Sequence, residues 1–305
     1  MILIFVQISA KILPSFYLKG DVTMLPFLNK IITVILVPIY LSTWSPVYHI
    51  VKLLNPPQEL ISISENGIGS PEDPVYLTAH RGVSALAPEN STMSFVEAVN
   101  NNYYSAECDI QLTKDNVWVL NHNSDTGSWF CQYAEIKDTT LEELKTFNYK
   151  WGANFWKYPD MRIATLDEYL DVFVGTNTRP QIEIKADNYD LLYTVVDAVK
   201  AKGLTEQAIV ISFDLEQLKV IHELDPSIEL WYLIDEITPE NIAAAQAVGN
   251  NVWLSPSYSA NTQETIQLAL DAGIGVSFWT VNTIEDAKML YDMGVRYMET
   301  DILCN

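Results

Sequence analysis

From residue 75 onward the chain alternates short apolar runs with amphipathic stretches, and this rhythm restricts the folds open to it more than any other feature. Strand-like runs fall at Val75–Ala79, Ser105–Ile110, Gln181–Lys185, Ala208–Phe213, Glu229–Ile234, Val252–Ser255, Gly275–Val281 and Arg296–Asp301. Helix-like stretches fill most of the gaps: Ser91–Asn101, Tyr189–Lys202, Leu215–Leu224, Pro239–Val248, Thr262–Ala272 and Ile284–Met293. Thr238-Pro239 reads as an N-cap followed by proline at the first helical position. Gly203, Gly273 and Gly294 stand where helices end on a left-handed residue. Eight strands alternating with helices predict an α/β fold, a (β/α)8 TIM barrel. A ninth run, Val117–Asn121, follows the second strand too closely for a parallel crossover, which needs a dozen residues or more. It is expected to return as a short β-hairpin. A two-residue turn at Asp115-Asn116 sets Asp109 opposite His122.

The first 60 residues differ in kind. No charged residue occurs from Ile31 to Val51, and about 20 apolar residues suffice to cross a bilayer as a helix. Lys11, Lys19 and Lys30 precede the run, which favours an N-terminus inside and a catalytic domain outside the cytoplasm. The expected organisation is a leader over 1–51 with a membrane span at 31–51, a linker over 52–73, and a barrel over 74–305. A cleaved signal peptide is the competing reading, and Met24 is a possible alternative start. From residue 61 on, 14 basic residues face 37 acidic ones. Such a surface repels nucleic acid, whose binding requires neutralisation by Lys and Arg. It also gives no electrostatic attraction to anionic lipid. The three cysteines, Cys108, Cys131 and Cys304, are too few and too scattered for a disulfide framework or a zinc site.

The chemistry sits at the strand ends, which converge on one face of such a barrel. Glu107 and Asp109 are two apart on a strand and share a face. Two uncompensated anions inside a barrel are costly, and a divalent cation removes the cost. All-oxygen ligands suit Ca²⁺ or Mg²⁺ better than zinc, with Glu183 as a third ligand. Lys185 shares the face of Glu183, and Arg81 follows His80; both can reach phosphate oxygens. Gly82 permits a sharp turn or a close approach. His80 and His122 each close an apolar run, and phosphodiester cleavage needs a base for the attacking oxygen and an acid for the leaving one. The other two histidines read differently, His49 within the apolar segment and His222 on a helix surface.

These residues resemble the glycerophosphodiester phosphodiesterase family over nearly the whole barrel. The similarity runs through His80-Arg81-Gly82 with Pro88-Glu89-Asn90, Glu107-x-Asp109, His122, Asp138–Leu144, Ala164–Leu170, Glu183-x-Lys185, Ser212-Phe213, Trp279–Asn282 and Thr300-Asp301. The resemblance implies hydrolysis of glycerophosphodiesters to glycerol 3-phosphate and an alcohol. It implies one divalent cation on Glu107, Asp109 and Glu183, acid–base roles for His80 and His122, phosphate binding by Arg81 and Lys185, and support from Glu89 and Asn90. Trp279 would form an apolar wall for the glycerol or headgroup. In such barrels a neighbouring hydroxyl of the substrate can be the nucleophile. Asn123 stands where the family usually has Asp, and Asp125 is available as a substitute. Two rival readings are phospholipase D-like action on lysophospholipid or sphingolipid, and a catalytically silent barrel that only binds. All five core positions are present, which favours an enzyme.

Overall fold

A computed structural model describes residues 53–305. The expected membrane span at 31–51 lies outside the described residues. Among those described, no helix is long and apolar enough to cross a membrane.

The strands are β1 (Ile61–Ser62), β2 (Tyr76–Ala79), β3 (Ser105–Leu112), β4 (Trp118–Leu120), β5 (Arg179–Ile184), β6 (Ile209–Ser212), β7 (Glu229–Ile234), β8 (Val252–Pro256), β9 (Ser277–Phe278), β10 (Tyr297–Thr300) and β11 (Leu303–Cys304). The helices are α1 (Thr92–Asn100), α2 (Leu141–Leu144), α3 (Leu166–Asp171), α4 (Leu192–Ala201), α5 (Leu215–Leu224), α6 (Pro239–Val248), α7 (Gln263–Asp271) and α8 (Ile284–Asp292). Eight parallel strands run in the order β8-β7-β6-β5-β3-β2-β10-β9. The ring closes between β8 and β9 through single bridges, Leu254 to Val276 and Ser257 to Trp279, rather than a continuous ladder. This is the expected eight-stranded barrel.

Side chains alternate along each strand. Outward residues such as Leu77, Cys108, Ile182 and Val210 join the helices in one large core. The inward set is divided. Ile209, Ile211, Trp231 and Leu233 make one side of the interior apolar. On the other side, Thr78, Ser105, Glu107, Asp109, Gln181, Glu183 and Glu299 are all buried. The rings of Tyr76, Tyr104, Trp231, Trp253 and Tyr297 pack against one another, with the Arg179–Glu229 ion pair beside them.

Helix punctuation follows the expected chemistry. Thr238 caps α6 by accepting from Asn241 N, with Pro239 next. Gly203, Gly273 and Gly294 all have positive φ.

The hairpin forms, but its register differs from the expected one. Ile110 faces Leu120 and Gln111 faces Val119, so Asp109 lies opposite Asn121, not His122. The turn holds three residues rather than two. Thr113 N donates to Val117 O at 3.0 Å, and Asn116 adopts φ 60°. Thr113 Oγ1 also accepts from Val117 N, which favours the longer loop.

Residues 53–73, expected as a linker, dock on the barrel wall. Ile63 and Ile68 are buried, and β1 pairs in parallel with β11. Asp73 forms an ion pair with Arg296 at 2.6 Å. Gly67, at φ 72°, turns this strap, and Ile63 and Ile68 fasten it.

Candidate active site

β3 delivers Glu107 and Asp109 to the interior, and the register sets Asp109 beside Glu183 of β5. One carboxylate oxygen from each of Glu107, Asp109 and Glu183 lies within 4.8 Å of the others. All three groups are buried. Glu107 Oε2 accepts from Arg81 N at 2.8 Å, whereas its Oε1 is buried with no hydrogen-bond partner. Burial, then repulsion from Asp109, Glu299 and Glu183, pushes the Glu107 carboxyl well above its usual range. Burial and Asp109 likewise raise Glu183 to about 7. Three crowded carboxylates, with Glu107 Oε1 buried and facing no donor at all, fit a hard divalent cation.

Asp109 is the hub of the site. Asn90 Nδ2 donates to its Oδ2 at 2.7 Å, and Asp109 N donates to Asn90 Oδ1 at 3.0 Å. Arg81 Nε and Lys185 Nζ each stand 3.3 Å from its carboxylate oxygens. Burial opposes ionisation of Asp109, but Arg81 and Lys185 outweigh it and hold the carboxyl below its usual range. Arg81 also pairs with Glu89 at 3.0 Å. Lys185 lies 2.6 Å from Glu183 Oε1, an ion pair without hydrogen-bond alignment. The Arg81 turn is tight, with Arg81, Gly82 and Asn90 at positive φ. A Cβ on Gly82 would sit 2.7 Å from the Ser94 backbone carbon, so only glycine lets α1 approach so closely.

The two histidines occupy different surroundings. His80 Nδ1 is bonded to Asp301 Oδ1 at 2.8 Å, and its Nε2 lies 3.8 Å from Glu299 Oε1. Burial works against the imidazolium, but Asp301 and Glu299 prevail and raise its pKa. Asn282 fixes Asp301, donating to its Oδ2 at 2.6 Å and accepting from its backbone N at 2.8 Å. His122 is half-buried, with Nδ1 3.0 Å from Asn123 Oδ1. Burial lowers its pKa, and the attraction of Asp109 recovers only part of the shift.

Every residue expected at the site therefore reaches the same barrel end. Trp279 donates from Nε1 to Ser255 O at 2.8 Å and meets the half-exposed Phe213 edge to face. Phe213 also lies 5.9 Å from Lys185 Nζ, adding an apolar edge to the mouth. Asp125 does not replace the missing acid, because its side chain accepts from Gly127 N within its own loop. Glu299 and Asn282 carry no role in the sequence reading, and neither does Asp301. The signal was available: Glu299 and Asp301 repeat on the last strand the two-residue spacing of Glu107 and Asp109.

A sequence profile of the glycerophosphoryl diester phosphodiesterase family matches residues 80–303. The chain belongs to this family. It is 30% identical over 232 residues to YqiK, an uncharacterized protein of Bacillus subtilis, covering 73% of this chain and 93% of that one. A glycerophosphodiester phosphodiesterase of the same organism is 28% identical, with 78% and 87% covered. The fold is that of an Oleispira antarctica phosphodiesterase solved with its product sn-glycerol-3-phosphate. The TM-score is 0.66, with 22% identity and 79% and 96% of the two chains covered.

Proposed function

We propose that the protein hydrolyses glycerophosphodiesters to glycerol 3-phosphate and an alcohol, with one divalent cation, Ca²⁺ or Mg²⁺, held by Glu107, Asp109 and Glu183. The observation that carries this reading is the orphaned Glu107 oxygen amid buried carboxylates, with two phosphate-seeking side chains and two histidines around it. When bound, the cation polarises the phosphoryl group and offsets developing charge. Arg81 and Lys185 are oriented by Asp109 to take the phosphate oxygens.

The differing surroundings support an order for the histidines. His122, whose pKa burial lowers, takes the proton of the attacking hydroxyl as its oxygen bonds to phosphorus. His80, whose pKa is raised by its hydrogen bond to Asp301, gives a proton to the departing alkoxide as that P–O bond breaks. If a hydroxyl of the glycerol attacks first, water opens the cyclic phosphate with the two roles reversed. ³¹P NMR of glycerophosphocholine turnover tests the regiochemistry. Glycerol 3-phosphate is the expected product, and phosphocholine would contradict the reading. The exposed Phe213 beside Trp279 also favours a substrate with an apolar portion, such as lysophospholipid.

The N-terminal run is proposed as a membrane anchor that leaves the barrel outside the cytoplasm. Leu53 and Leu54 are exposed, and Asn55 Oδ1 accepts from Gly152 N at 3.1 Å next to the exposed Trp151. The Gly152 loop packs on Pro88, one residue from Glu89 at the site. This arrangement would hold the catalytic mouth near the bilayer. Flotation of the full chain with phosphatidylcholine vesicles supports the anchor; recovery of a shortened soluble form contradicts it.

A further inference from the structure

His80, Glu107 and Glu299 form a second group whose ligand atoms lie within 4.8 Å of one another, and with Nδ1 of His80 held by Asp301 its free nitrogen is Nε2. It shares Glu107 with the first group and differs from it by containing nitrogen. Each member has one polar atom tied back by a neighbour. His80 Nδ1 is held by Asp301 at 2.8 Å, Glu107 Oε2 by Arg81 N at 2.8 Å, and Glu299 Oε2 by Gln181 Nε2 at 3.0 Å. Gln181 is fixed in turn by the hydroxyl of Ser105 at 3.2 Å. Such outer partners are what orient ligands at metal centres, notably a carboxylate on the far nitrogen of a histidine. The Glu107 Oε1 atom is buried and unpartnered, which independently calls for a cation. His80 Nε2 and Glu299 Oε1 are 3.8 Å apart, near the roughly 3.4 Å edge of a tetrahedron built on zinc–ligand bonds. Six carboxyl groups (Glu89, Glu107, Asp109, Glu183, Glu299 and Asp301) crowd around Arg81, Lys185 and His80, more acidic groups than one cation needs as ligands.

We propose that His80, Glu107 and Glu299 form a second cation site, selective for a nitrogen-seeking transition metal such as Zn²⁺ over Ca²⁺ or Mg²⁺. Glu107 is the shared carboxylate. Zn²⁺ there occupies His80 Nε2 and so inhibits hydrolysis, a consequence that rests on the proton-donor role proposed above for His80. Binding itself does not depend on that role.

The test uses protein loaded with saturating Mg²⁺ and titrated with Zn²⁺ against a chromogenic chelator, with X-ray absorption at the zinc edge and hydrolysis measured in parallel. The expected result is one Zn²⁺ taken up per chain without release of Mg²⁺, imidazole in its coordination shell, and inhibition that follows occupancy. Glu299→Gln keeps an oxygen for Gln181 to donate to and is expected to weaken Zn²⁺ uptake about tenfold or more. One-for-one displacement of Mg²⁺, a zinc shell without imidazole, or unchanged uptake in Glu299→Gln would each overturn the site. The wild-type stoichiometry and spectrum decide the matter even if Glu299→Gln fails to fold. Absence of any hydrolysis would undercut the proposed function while leaving the uptake result to stand or fall alone.

Discussion

The buried carboxylates make the metal-free protein pH-sensitive in an unusual direction. Glu183 has an ordinary pKa of 4.5 when unfolded and about 7 in the folded chain, raised by burial and by Asp109. The folded state therefore binds more protons than the unfolded state between these values, and stability falls as pH rises through that window. The 2.5-unit difference corresponds to about 3 kcal/mol, present below pH 4.5 and lost by pH 7. For a chain of this size that is a fall in Tm of roughly 6–12 °C. Thermal unfolding in EDTA at pH 5 and pH 7.5 measures it, with Glu183→Gln as the control, because other groups titrate in both proteins. Between pH 5 and pH 7.5 the difference between wild type and Glu183→Gln should carry about 2.4 kcal/mol of this, because part of it is already lost at pH 5. Saturating Ca²⁺ or Mg²⁺ should restore stability at pH 7.5 in wild type only, by about 3 kcal/mol at a hundredfold excess over Kd. Equal pH dependence in the two proteins would refute the claim that Glu183 is held in a crowded, desolvated anionic cluster.

Three further outcomes are expected. Asp301→Asn removes a charge that raises the His80 pKa, so kcat should fall about 10²–10⁴-fold with KM little changed, and the alkaline limb of the kcat profile should move to lower pH. Gly82→Ala forces a Cβ onto the Ser94 backbone at φ 75°, and should lower unfolding free energy by more than about 2 kcal/mol in urea titration. Ile63→Ala empties a fully buried position in the strap, and should cost about 2–4 kcal/mol as a shift in Cm at constant m; no shift would mean the strap is dispensable.

The barrel was legible because its signal is periodic. Runs such as Glu229–Ile234 and stretches such as Leu215–Leu224 recur in the structure with the same ends. The site residues were legible because two histidines and three carboxylates together close apolar runs, and because these residues carry the family resemblance. What escaped depends on long-range contacts. The role of Glu299 exists only because β10 lies beside β2, more than 200 residues away in sequence, so that its carboxylate meets His80. The strap reads as a linker because its buried residues, Ile63 and Ile68, are sparse among polar and turn residues; the pairing with β11 that fixes it is invisible locally. The hairpin register turned on one residue, Asn116, whose left-handed conformation lengthens the turn from two to three.

The central claim is tested most directly by release of glycerol 3-phosphate from glycerophosphocholine, comparing wild type and Glu107→Gln with Ca²⁺, Mg²⁺ or EDTA. The account predicts release that requires a divalent cation and is lost in Glu107→Gln, although that variant folds and, free of metal, melts no lower than wild type. Release that persists in EDTA or survives the substitution would contradict it.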